Sequence, residues 1–278
     1  MRDSPLHGRR LLSSSASGTR VRNPMRRAAR TLQETASLLS LWLRDDQASN
    51  KFYDLMSSRN ILAEKSLYLN LGYWDGSTTY DSACAHLAEV LGETAGMSPA
   101  DEVVDCGFGF ADQDFYWLER FKPKRITGLN ITVSQVVEAR RRAAEHGFSP
   151  ERLDLRHGSA TVMALPDACA DLVIALGRRF WQCPAANVYD HGEYERKLTA
   201  SGFTSVRVES IREKVYRPFS EFARRRLRDP EIRARMNPLV RLLWAVWIKE
   251  MAGPTGPDYV LTVPVKPKGL SAVSTVCT

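Results

Sequence analysis

The residues best suited to chemistry are Asp105-Cys106-Gly107-Phe108-Gly109-Phe110-Ala111. An acid and two glycines, spaced Asp-x-Gly-x-Gly, end a short apolar strand pattern at Glu102 to Cys106. A helical pattern follows from Gln113 to Phe121. Glycine lets the chain turn sharply and lets a ligand approach backbone with no Cβ in the way. The first amides of the next helix have no intrahelical partner and are free to meet polar groups. A strand, a glycine loop and a helix together suit a nucleotide-like ligand.

The companions of the loop narrow that ligand. A dinucleotide loop wants a third glycine, and an acid at the end of the second strand for the ribose hydroxyls. Asp112 stands at the glycine position, and the strand Arg125 to Leu129 runs into Asn130. Both speak against a nicotinamide-linked oxidoreductase, which stays as the weaker alternative. Further on, His157-Gly158-Ser159-Ala160-Thr161 and Leu165-Pro166 precede the apolar strand Asp171 to Leu176.

These residues need a scaffold. Strands at 102–106, 125–129, 153–156 and 171–176 alternate with helices at 113–121 and 133–146, the rhythm of a parallel, doubly wound sheet. The expected fold is α/β and Rossmann-like, with N-terminal helices and a helical lid inserted between the last two strands. Before the sheet, helical spacing covers 29–45, 49–66 and 79–96, and the aromatic loop Leu67 to Gly76 interrupts it. After it come a helix at 192–200, a strand at 204–211, helices over 218–252 broken at Asp229-Pro230 and Asn237-Pro238, and a strand at 259–265. The organisation reads as a basic leader (1–28), an N-terminal cap (29–97) and a main domain (98–268) with the lid at 217–252.

Residues 66–176 resemble the small-molecule class I S-adenosylmethionine (SAM) dependent methyltransferases. The acid-x-G-x-G-x-G pattern appears as Asp105, Gly107, Gly109 and Ala111. The aromatic lead-in resembles Asn70-Leu71-Gly72-Tyr73-Trp74. A later block resembles Gly158-Ser159-Ala160, Leu165-Pro166 and Asp171-Leu172-Val173. The resemblance implies SAM as cofactor. Gly107 and Gly109 would admit its amino-acid end, and Asp105 would orient the loop or hold the ammonium. Asn130 would face the ribose, Ser159 with Ala160 the adenine, and Tyr73 would close over the methionine part. The departures are Ala111 for glycine, and Asn130 and Ser159 where acids are expected.

After Leu176 the family's next loop, helix and strand do not follow, and the chain passes almost at once to Asn187-Val188-Tyr189-Asp190. This reads as an internal loss of roughly 50 to 70 residues, the length of a crossover helix with its strand and loops. Such a loss would leave buried strand edges without partners unless the last strand slides over to the fourth. It also removes the usual place for a catalytic base. No catalytic residue is assigned; His157 and His191 are read as structural. A catalytically inactive, truncated relative is therefore the alternative to an active enzyme.

Residues 238–251 are apolar nearly all round, which suits a lid over a lipophilic acceptor, plain core, or contact with a membrane surface. The reading favours O-methylation of a small, apolar molecule. The chain has 278 residues, 44% hydrophobic and 26% charged, with a net charge of +7. Eight arginines and one acid fall within residues 1–31. That leader fits disorder, a mitochondrial transit peptide, or a start site misplaced ahead of Met25. Nothing resembles a nucleic-acid-binding motif, no apolar run is long enough to span a membrane, and no metal site is expected. Five scattered cysteines without a CxxC pair point to a reducing, cytoplasmic setting.

Overall fold

The computed structural model describes residues 62–160, 162–166, 169–175, 189–253, 258–262 and 264. The basic leader, the helix expected at 29–45, residues 49–61 of the helix expected at 49–66, and the junction 176–188 lie outside the described residues; residues 62–66, the rest of that expected helix, are bends and coil.

Helix α1 (Tyr80–Thr94) begins at a capping box in which Thr79 and Ser82 satisfy each other's backbone amides. Its buried residues Tyr80, Ala83, Cys84, Leu87 and Ala88 recur at helical spacing on one face. The α/β unit follows: β1 (Glu102–Cys106), α2 (Asp112–Arg120), β2 (Arg125–Asn130), α3 (Val133–Glu145), β3 (Leu153–His157) and β4 (Leu172–Ala175). The four strands form a parallel sheet in the order β3-β2-β1-β4. This is the doubly wound arrangement that the alternation of elements predicts, with boundaries within two residues.

The chain then gives α4 (His191–Ala200), β5 (Val208–Ser210), α5 (Arg212–Arg228), α6 (Pro230–Arg235), α7 (Pro238–Ala252) and β6 (Val260–Thr262). Strands β5 and β6 pair antiparallel with each other in a separate two-stranded sheet. The last strand therefore does not move over to β4. Among the described residues β4 is an outer strand, and Val173 on it is 57% exposed, although its apolar sequence suits a strand covered on both faces.

Two apolar clusters divide the molecule. One gathers the sheet with α2 and α3 around Trp117, Ile126 and Val103. The other joins the lead-in residues Leu62, Tyr68, Leu71 and Trp74 to α1, α5, α6 and α7 around Phe219, Val215 and Ile248. Leu91 of α1 packs against both, so α1 is the shared wall.

Helix α5 starts at Arg212, six residues before the start that Pro218 suggests, and Pro218 lies inside it. Proline has no N–H to offer the carbonyl of residue 214. The backbone N–H of Trp74 donates to that carbonyl instead, at 2.9 Å. A helix interruption thus becomes an attachment point for the lead-in segment.

Candidate functional site

In an open α/β sheet, ligands bind beyond the carboxyl ends of the strands, where the strand order reverses. Here β2 and β3 lie to one side of β1 and β4 to the other, so the reversal falls at the end of β1. A cavity of about 330 Å³ opens there, walled by Leu67–Asn70, Cys106–Phe110, Asp112, Gln113, Leu129–Thr132, Gln135 and Gly158–Ala160.

The glycine loop forms the floor. Gly107 has φ +97° and Gly109 φ +60°, backbone that side chains rarely tolerate. A Cβ on Gly107 would meet nothing within 4 Å, so the missing side chain leaves open space at the cavity floor. Ala111 takes φ +66° at the place of the third glycine, so the chain makes the same turn at a local steric cost.

Tight bonding holds the loop. Asp112, at the start of α2, receives a bidentate pair from Arg142 of α3 at 2.5 and 2.9 Å. Arg142 also donates to the Phe110 carbonyl at 2.6 Å. The two side chains are only 13% and 9% exposed, so water screens the pair little. Asp112 accepts as well from the Leu67 N–H at 3.1 Å, which ties the lead-in segment to the loop. Sequence reading noticed Asp112 only as a missing glycine. Its partner thirty positions away sits in an ordinary arginine run, and no local signal marks it.

Asn130 lines the cavity and is 6% exposed. Its Nδ2 donates to the Gly109 carbonyl at 3.2 Å and to Gln135 Oε1 at 2.9 Å, and its Oδ1 accepts from Thr132 N–H at 3.0 Å. One bond from its amide nitrogen braces the loop and the other reaches α3, and one oxygen lone pair is left for a ligand. Ser159 and Ala160 line the far wall beside Gly158, whose N–H donates to the Asn130 carbonyl at 3.0 Å.

Two residues expected at the site stand off the cavity wall. Asp105 is 1% exposed beneath the floor, where it accepts from Gln113 Nε2 at 3.4 Å. Burial pushes its carboxyl up to about 7. Tyr73 packs edge-on against His86 at 4.9 Å and against the helical cluster. The lead-in segment meets the cavity through Leu67, Tyr68, Leu69 and Asn70 instead, because the turn at Gly72 carries Tyr73 back to α1, where its N–H donates to the Ala83 carbonyl. Burial, and then the Asp112 carboxylate, raise the Tyr68 hydroxyl well above its ordinary value, so it stays a neutral wall group.

Neither histidine reaches the cavity wall. His157 contacts the Ile131 carbonyl at 3.2 Å, and His191 pairs with Asp258 Oδ2 at 2.7 Å between α4 and β6. Among the described residues no cluster could hold a metal ion, and no helix is long and apolar enough to cross a membrane.

Comparison with known proteins agrees with this geometry. Residues 104–184 match a family described as a methyltransferase domain. Erythromycin 3''-O-methyltransferase of Saccharopolyspora erythraea is 27% identical over 250 residues, covering 71% of this chain and 81% of that one. The [4+2]-cyclase SpnF superposes with a TM-score of 0.61 at 18% identity, over 80% of this chain and 96% of its own. Geranyl diphosphate C-methyltransferase from Streptomyces coelicolor A3(2), solved with S-adenosyl-L-homocysteine, superposes with a TM-score of 0.56 at 14% identity, over 77% and 98%. No observation favours an oxidoreductase. Residues 104–184 thus carry a methyltransferase domain, and the sheet order, the glycine cradle and the similarity to an O-methyltransferase agree with SAM-dependent methyl transfer on a Rossmann-like fold.

Proposed function

We propose that this chain transfers the methyl group of SAM to an oxygen of a small, apolar molecule. The observation that carries the reading is the cavity at the end of β1, floored by Gly107 and Gly109 and braced by Asn130. In this reading the glycines admit the amino-acid end of SAM, Asn130 stands by the ribose, and Ser159 with Ala160 flank the adenine. Bound SAM supplies an activated methyl group, and the chain's task is to align donor and acceptor while excluding water.

The acceptor class rests on two supports. The similar protein from Saccharopolyspora erythraea is named for O-methylation. In addition, α7 leaves Leu242 (60% exposed) and Val246 (47% exposed) four residues apart on one face, an arrangement suited to an apolar ligand or surface. The test is calorimetry with SAM, followed by transfer of labelled methyl to a panel of hydroxylated apolar compounds. Binding with label recovered as a methyl ether is the expected result. Absence of SAM binding would overturn the reading.

A second reading is a relative that binds SAM without turnover. The 250-position alignment uses only 71% of this chain's 278 residues, so roughly fifty positions of the relative face no residue here, enough for a crossover helix and strand. The exposed Val173 on the outer strand β4 agrees with such a loss. SAM binding without transfer to any acceptor in the panel would favour it.

A further inference from the structure

Two carboxyl groups lie under the cavity floor. Asp105 is the penultimate residue of β1, and its neighbours Cys106 and Gly107 line the cavity. Asp114 is in the first turn of α2, and its neighbours Asp112 and Gln113 line the same cavity. They are 1% and 0% exposed. Gln113 links the two elements by donating to Asp105. Among the described residues, neither oxygen of Asp114 has a hydrogen-bond partner outside its own residue, and Gln113 Oε1 has none. A buried carboxylate without partners is strongly disfavoured.

Among the described residues, no cation is found in the groups that act on the pair. Asp112, the other acid beside Asp114, is bound bidentate by Arg142, which leaves that guanidinium committed. Tyr68 from the lead-in segment, and Cys84 and Tyr116 around it, carry no positive charge. Burial raises both carboxyls, and Asp105 raises Asp114 further.

We propose that Asp114 is a positioning residue, and that a proton held on the buried Asp105 and Asp114 carboxyls is released to solvent when the ammonium group of SAM docks over the loop. This rests on the reading of the cavity as the SAM site. The cation replaces the proton as the charge that balances the pair, so affinity for amino-acid-bearing ligands depends on pH. The proton departs from a carboxylic acid and no covalent bond to SAM changes.

Calorimetry on the full chain tests this, using SAM, S-adenosyl-L-homocysteine and 5′-methylthioadenosine, which lacks the amino-acid group. With the Asp105 carboxyl at about 7 in the free protein, loss of its proton on docking predicts by linkage that SAM binds about tenfold more weakly at pH 6 than at pH 8. Measured at pH 7 in two buffers of different ionisation heat, SAM and its homocysteine product release protons and 5′-methylthioadenosine releases none. Asp114→Asn flattens the pH profile for SAM. If that variant fails to fold, the comparison of ligands on the unaltered chain carries the test. A pH-independent SAM affinity, or equal proton release by 5′-methylthioadenosine, overturns the proposal. Ala160→Trp, which crowds the cavity wall, separates the two readings. Unchanged SAM binding in Ala160→Trp defeats the cavity assignment together with the proposal. Lost binding beside a flat pH profile in the unaltered chain defeats the proposal alone.

Discussion

The sheet half and the helical half of this molecule are held together by different means. Around the cavity, structure comes from backbone geometry and polar bonds: left-handed glycines, the Asp112–Arg142 pair, and Asn130 bonded to Gly109. Across α1, α5, α6 and α7 it comes from aromatic and aliphatic packing, with Phe219 between Tyr80 and Trp247 and with Trp74 against Phe222. Apolar packing is non-directional and tolerates rearrangement. Polar bonds tolerate little displacement. The difference teaches where ligand geometry is set and where bulk stability is stored.

The largest effect is expected in the helical half. Phe219 is fully buried, so Phe219→Ala should cost about 3–5 kcal/mol of stability, read by denaturant unfolding. SAM affinity of the protein that remains folded should be nearly unchanged. A large loss of affinity would break the separation between the halves.

Arg142→Met should do the opposite. It leaves Asp112 buried without its cation and releases the Phe110 carbonyl. A cost of about 3 kcal/mol is expected, together with weakened SAM binding by calorimetry. Stability loss with intact affinity would mean that the clamp does not shape the cavity.

The buried acids give the sheet half its own pH signature. The Asp105 carboxyl sits at about 7 when folded, against 3.8 ordinarily. The folded chain thus holds a proton that the unfolded chain gives up. Stability from this group is fully present below about pH 4, is lost as pH rises to 7, and is flat above that. Melting temperature without SAM should therefore fall by several degrees between pH 5 and 8, and Asp114→Asn should reduce the fall. No difference between the two proteins would argue that the acids do not interact.

The smallest effect tests the seam between the halves. Pro218→Ala in an ordinary helix interior would gain about 3 kcal/mol. Here Trp74 already occupies the Lys214 carbonyl, so the change should stay below about 1 kcal/mol. A gain near the full value would show that the Trp74 bond contributes little.

The sheet half was nearly all legible in the sequence. Each of its elements combines apolar periodicity with a local stop, such as Gly107, Asn130 or Gly158, so their order and type follow from neighbouring residues alone. The helical half was legible only as helix. Nothing near Pro218 signals that α5 runs through it, and nothing in the strands at 208 and 260 says that they pair with each other. Site residues divide in the same way. Gly107, Gly109, Asn130, Ser159 and Ala160 lie at strand ends and reach the cavity as their positions suggest. Tyr73 is carried away by the fold of the lead-in segment, and Asp105 is drawn beneath the floor.

By itself, the sequence of this chain determined the parallel α/β order and the glycine cradle, because both depend on contacts a few residues long and on backbone angles that glycine alone adopts easily. Tertiary structure decided which groups meet across long separations. Arg142 reaches back to Asp112, Trp74 takes the carbonyl that Pro218 leaves free, and Asp114 comes to rest beside Asp105 without a cation. Those meetings depend on how packed elements lie against one another, and no spacing along the chain encodes them.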